Sequence, residues 1–248
     1  MTAPFLDDPA AWLSCSLAMF AAVLTQRATG GAFGMVVAPF VALTAPAYMP
    51  GGVLIASLLV TVLCLRLPLG AIDWRELAPM LIGRGAGALG AAALVVLAPD
   101  PAAVAVFVAV SVIAGVGLSL GGLRAALTPR NLLAAGALSG LTGTLTSVGA
   151  PPVMLLYQHR AAVEARPTLN AFFMLGVALS LAALALGGRL GWADLSFVLA
   201  MLPALALGFT LAPAMLRWLG TRSLRPLVLG LATFASALIL LRWVPVLL

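Results

Sequence analysis

The sequence predicts an all-α, polytopic membrane protein made of two inverted repeats. Each repeat holds a short, broken or re-entrant helix pair plus three transmembrane helices, giving about 8 to 10 hydrophobic segments. Three observations predict this. The 248 residues are 63% hydrophobic and 8% charged, whereas a soluble domain is about a quarter charged. Stretches such as Leu77 to Ala98 and Pro226 to Pro245 supply the roughly 20 mostly apolar residues that one helical crossing needs. The order of segment lengths also recurs halfway along the chain.

In order, the apolar runs are Trp12 to Thr25, Phe33 to Ala45, Gly52 to Leu65, Leu77 to Ala98 and Ala102 to Leu123, followed by Leu132 to Leu145, Pro152 to Tyr157, Leu169 to Leu186, Leu195 to Leu216 and Leu227 to Leu241. Gly34 matches Gly149 at an offset of 115, and Trp74, Leu77 and Gly90 match Trp192, Leu195 and Gly208 at an offset of 118. Residues 1–126 are therefore read as the first repeat and 127–248 as the second. A run such as Phe33 to Ala45 is about 20 Å long as a helix. It falls short of a hydrocarbon core of about 30 Å, which favours a re-entrant hairpin over a crossing.

Loop charge sets the orientation. With the acidic start (Asp7, Asp8) outside, Arg66, Arg75, Arg124, Arg130, Arg160, Arg166, Arg217, Arg222 and Arg225 fall inside, while Arg189 and Arg242 fall outside. This is the positive-inside asymmetry, and it places both termini outside, the periplasmic side if the membrane is a bacterial inner one. Because each repeat then has an odd number of full crossings, the second copy is inverted relative to the first. The first apolar run lacks a positive n-region and is read as retained rather than as a signal peptide.

The net charge of +6 comes from thirteen arginines scattered singly over short loops, without the basic patch that nucleic-acid binding requires. Cys15 and Cys64 lie in apolar runs without CxxC spacing, and His159 is the single histidine. No metal, disulfide framework or cofactor is therefore expected. One histidine and no lysine also leave little for a nucleophile and its base, so an enzyme is not expected.

Two polar, glycine-rich breaks carry the functional reading: TQRATGGAFGMVVAP (25–39) and SGLTGTLTSVGAPP (139–152). Backbone opened at bilayer depth is tolerated only where protein buries it or a wet cavity takes it. A helix restarting after such a break presents unpaired amides and about half a positive charge, which suits an anion. The candidate substrate-binding residues are Gln26, Arg27, Thr29, Gly30, Gly31, Gly34, Arg84, Thr144, Thr146, Ser147 and Gly149. Glycines let a ligand approach the amides, hydroxyls and the Gln26 amide donate, and Arg27 and Arg84 supply charge inside the membrane. The seven acids all lie in or near loops, so neither arginine has an evident carboxylate partner. A second reading stays open at several positions. The pairs Gly83 and Gly87, Gly117 and Gly121, and Gly136 and Gly140 are read as helix-packing GxxxG faces, and the isolated threonines bond back to their own helices.

The sequence GGAFGMVVAPFVAL followed by GGVLIASLL, and TSVGAPPVMLL followed by RPTLNAFFMLG, with IDWREL and GWADL each before a long helix, resembles the TauE/SafE family of sulfite exporters, also called TSUP transporters. The resemblance implies secondary transport of small sulfur-containing or organic anions, usually outward, across the bacterial inner membrane. The expected partners are a small anionic substrate and the lipid bilayer, not nucleic acid, with a homodimer left open. The rival readings are an anion channel or facilitator and a structural membrane subunit.

Overall fold

The computed structural model describes residues 8–29, 31, 33–64, 71–97, 101–120, 125–219, 230 and 233–241. Among them the chain forms α1 (Pro9–Thr29), α2 (Phe33–Thr44), a 3-10 turn (Pro46–Tyr48), α3 (Gly51–Cys64), α4 (Trp74–Leu97), α5 (Pro101–Leu120), α6 (Pro129–Thr146), α7 (Ala150–Tyr157), α8 (Ala162–Leu186) and α9 (Trp192–Leu219). A last helical stretch covers 233–241, and no strand occurs among the described residues.

Local chemistry sets the boundaries. Asp8 opens α1 by accepting from the amides of Ala10 and Ala11 at 3.0 and 3.1 Å. Asp73 does the same for α4, accepting from Arg75 and Glu76 at 3.0 and 3.3 Å. Such caps satisfy amides that have no carbonyl one turn back. Thr128 caps α6 through the Asn131 amide, with Pro129 at the first helical position. That helix ends at Ser147, a left-handed residue (φ 62°) whose amide bonds the Gly143 carbonyl.

Helices α1, α4, α8 and α9 are long and apolar enough to cross a membrane. By contrast α2, α3 and α7 have 12, 14 and 8 residues, about 12 to 21 Å. The helix α1 outruns the apolar segment from which it was read. Its 21 residues continue through Gln26 and Arg27, whose side chains find partners on α3 and α9, while Thr25 bonds back to the Ala21 carbonyl of its own helix. Conversely α3, the third apolar segment, has 14 residues against 25 in α8, the eighth.

Two apolar clusters share one plan. The first joins α1, α2 and α3 with α9 around Met19, Phe33, Val53 and Phe197. The second joins α6, α7 and α8 with α4 around Leu132, Val153, Phe172 and Met80. Moving every helix five places along the chain turns one grouping into the other. The same shift relates α5 against α7 to Ile239 against Met35, Ala38 and Ala42 of α2.

The tightest seam is α4 on α6. A Cβ on Gly83 or Gly87 would lie 2.1 Å from the Leu133 or Ala137 carbonyl oxygen. On the facing side, a Cβ on Gly136 or Gly140 would lie 2.2 or 2.3 Å from the Met80 or Arg84 carbonyl. Two GxxxG faces therefore meet backbone to backbone. Gly117 is different: among the described residues nothing lies within 4 Å of its would-be Cβ, and Gly121 lies outside the described residues. Outward, Ile82, Leu89, Leu207 and Trp218 are exposed, an apolar surface suited to lipid rather than water.

Candidate functional site

The two breaks touch. Gly34, in the first turn of α2, packs so closely on the turn between α6 and α7 that a Cβ there would lie 1.7 Å from the Ser147 carbonyl oxygen. The Ser147 hydroxyl donates to the Pro50 carbonyl at 3.2 Å, pinning this turn to the start of α3. Beside the contact lies a cavity of about 30 Å³ whose polar lining comes from Gln26, Gly34, Ser57, Thr61, Arg84, Ser147 and Gly149. Leu54, Phe33 and Phe173 supply apolar wall. A water needs about 10 to 15 Å³ by this measure, so the space fits about two waters or one small ion.

Arg84 brings the charge. It is 1% exposed, carried in from the middle of α4 by the seam with α6. Its Nη1 donates to the Ser139 carbonyl and hydroxyl, both at 2.7 Å, and its Nη2 donates to the Ser180 hydroxyl at 3.0 Å. Nε donates to the Gly176 carbonyl at 3.2 Å. The Ser139 hydroxyl donates to the Gly149 carbonyl, and Thr144 donates to Ser180 at 2.7 Å. The Phe172 ring centroid lies 5.8 Å from the guanidinium carbon.

Three glycines make room for the guanidinium. A Cβ on Gly143, Gly149 or Gly176 would come within 2.8, 2.5 or 2.9 Å of its nitrogens. Neutral acceptors orient Arg84 but leave its charge in place. Among the described residues the ion pair is Arg160 with Glu76, so no described carboxylate compensates Arg84. A buried charge without a partner costs several kcal/mol, which a bound anion in the adjoining cavity would offset.

Gln26, 2% exposed, divides this cavity from a second one. Its Nε2 donates to Thr61 at 3.4 Å, and its Oε1 accepts from the Phe33 amide at 3.3 Å. The second cavity is a vestibule of about 940 Å³ between the ends of α1 and α3, the start of α8 and the middle of α9. Arg27 sits on its wall, half-buried, donating to the Phe209 carbonyl at 3.2 Å with its guanidinium 5.6 Å from that ring's centroid. Arg166 and Asn170 also line it.

The expected site residues thus fall into groups. Gln26, Gly34, Arg84, Ser147 and Gly149 line the inner cavity. Thr144 stands behind it, bonded to Ser180. Thr146 donates to the Thr142 carbonyl and accepts from the Val148 amide, shaping the turn rather than the cavity. Gly31 is buried against Phe173 and Met154. Arg27 belongs to the vestibule and not to the inner cavity. Gly30 and the Thr29 side chain lie outside the described residues. Sequence reasoning missed Ser180, Gly143 and Gly176. The signal was a glycine and a serine four apart in FFMLGVALSLAAL, which put both on one face of an otherwise apolar α8.

Comparison with curated proteins and with solved structures finds no match. The family model for the sulfite exporter TauE/SafE matches residues 15–239, nearly the whole chain and both breaks. With four helices among the described residues long and apolar enough to cross a bilayer, this is a membrane protein, and it belongs to the TauE/SafE sulfite exporter family.

Proposed function

We propose that the chain is a secondary transporter of small oxyanions in the bacterial inner membrane, with the inner cavity as its substrate site. The observation that carries this reading is Arg84: a fully buried guanidinium, given space by three glycines, held by neutral acceptors and facing a cavity between two helix breaks. The volume suits an ion of sulfite or small-sulfonate headgroup size. The vestibule reaches the cavity from one side and stops at Gln26, an arrangement that favours alternating access over a continuous pore.

Orientation follows from charge. The vestibule opens beside Arg166 at the start of α8, the side that the positive-inside bias assigns to the cytoplasm. The shared plan of the two apolar clusters supports the inverted-repeat reading of 1–126 and 127–248, in which one repeat rocks against the other. A membrane potential favours outward anion movement by about 2.3 kcal/mol per 100 mV per charge, so export needs no coupled proton.

The test is flux of labelled sulfite, small sulfonates and small carboxylates from proteoliposomes under an imposed potential. Transport predicts saturable, potential-dependent efflux that Arg84→Gln abolishes while the purified variant stays folded. A structural role predicts no efflux from the wild type and loss of folding alone in the variant.

A further inference from the structure

The vestibule holds two arginines and no described acid. Arg27 donates to the Phe209 carbonyl, and Arg166 reaches across from α8 to donate to the carbonyl of Ala28, the residue next to Arg27. Two arginines from different helices therefore line one vestibule near the end of α1. Capping explains part of this, because cations suit a helix C-terminus. It does not explain the amount of charge. A helix end carries about half a negative charge, so the pair leaves about one and a half positive charges facing a cavity of about 940 Å³. Gln26 separates this region from the inner cavity, since its side chain lines both.

We propose that Arg27 and Arg166 form an outer anion station, in series with the inner cavity. It concentrates small anions on the vestibule side of Gln26 before the Gln26 partition yields. This rests on the transport reading for its purpose but not for its test, because the station predicts a local positive potential whether or not anything is transported.

Cys64 provides the probe. It lines the vestibule with Arg27 and is half-buried, while Cys15 is buried elsewhere. The purified full-length protein is treated with two methanethiosulfonate reagents, one bearing a sulfonate and one a trimethylammonium group. Each rate at Cys64 is divided by that reagent's rate with a free thiol, and Cys64→Ala gives the background. The station predicts that the sulfonate reagent is favoured over the cationic one by about tenfold, the lower range of electrostatic focusing in a cleft. Raising the salt to about 1 M, where the Debye length is about 3 Å, should collapse the preference. Arg27→Gln with Arg166→Gln should bring the ratio to about one. Arg166→Gln alone should give an intermediate value, which keeps the test open if the double variant does not fold. Equal normalised rates in the wild type, a preference that survives both substitutions, or a Cys64 that a neutral maleimide also fails to label would overturn the station. None of these results bears on whether Arg84 binds substrate, which the flux experiment decides separately.

Discussion

Gly34 of α2 and Ser147 of the α6–α7 turn are in backbone contact, 113 residues apart in the chain. The contact fixes the two breaks against each other and sets the floor of the inner cavity. A methyl group at position 34 would lie 1.7 Å from the Ser147 carbonyl, and that atom is backbone, so it cannot swing aside.

Gly34→Ala is therefore expected to force α2 away from the turn. Overpacking of this kind costs about 1 to 3 kcal/mol. Thermal unfolding in detergent should show a lowered Tm, with anion flux reduced more than expression level accounts for. A variant with wild-type Tm and flux would mean that the breaks are not held together as described.

The guanidinium is tied at three points, Ser139, Ser180 and Gly176. A lysine keeps the charge but lacks the planar fork that reaches them together. Arg84→Lys should fold, retain weak anion binding and lose most of its flux, with a raised KM. Equal KM in the two proteins would argue that charge alone matters and that the cage is incidental.

Gly176 tests the cage without touching the charge. A Cβ there would stand 2.9 Å from Nε of Arg84, displacing the guanidinium by a few tenths of an ångström or more. Gly176→Ala should weaken anion binding several-fold, whereas Gly85→Ala and Gly90→Ala on α4, where nothing lies within 4 Å, should leave binding unchanged and Tm equal or slightly raised. Loss of binding in all three variants would point to general fragility instead.

On the far side of α4, Glu76 accepts from Tyr157 at 2.7 Å and from Arg160 at 2.8 Å. Because Arg160 is 35% exposed at the side chain, solvent screening leaves this tie worth about 1 kcal/mol. Glu76→Gln should lower Tm by a few degrees and leave anion affinity intact, since the tie anchors the α7–α8 turn away from the cavity. A change in affinity would show that this loop network is coupled to the site.

Much of this was legible in the sequence. The all-helical membrane class followed from composition, and the two breaks followed from clustered glycine, threonine and proline between apolar runs. The GxxxG pairs at 83, 87, 136 and 140 marked packing faces without saying which helices they join; the structure sets the two against each other, and that seam carries Arg84 to the second break. Other features were hidden. The partners of Arg84 on α8 were masked because a serine inside an apolar crossing normally bonds its own helix, as Ser180 also does to the Gly176 carbonyl. Sequence position also linked Arg27 to the first break, yet the direction of its side chain depends on where α9 runs. That direction puts Arg27 on Phe209, and so in the vestibule.

The most direct measurement is equilibrium binding of sulfite, a small sulfonate and a small carboxylate to the purified protein, followed by thermal shift. A ligand at 100 times its Kd stabilises the folded state by about 2.7 kcal/mol. The account predicts a saturable rise in Tm for at least one of these anions in the wild type and none in a folded Arg84→Gln. A wild type that no anion stabilises, or an Arg84→Gln variant stabilised to the same degree, would contradict it.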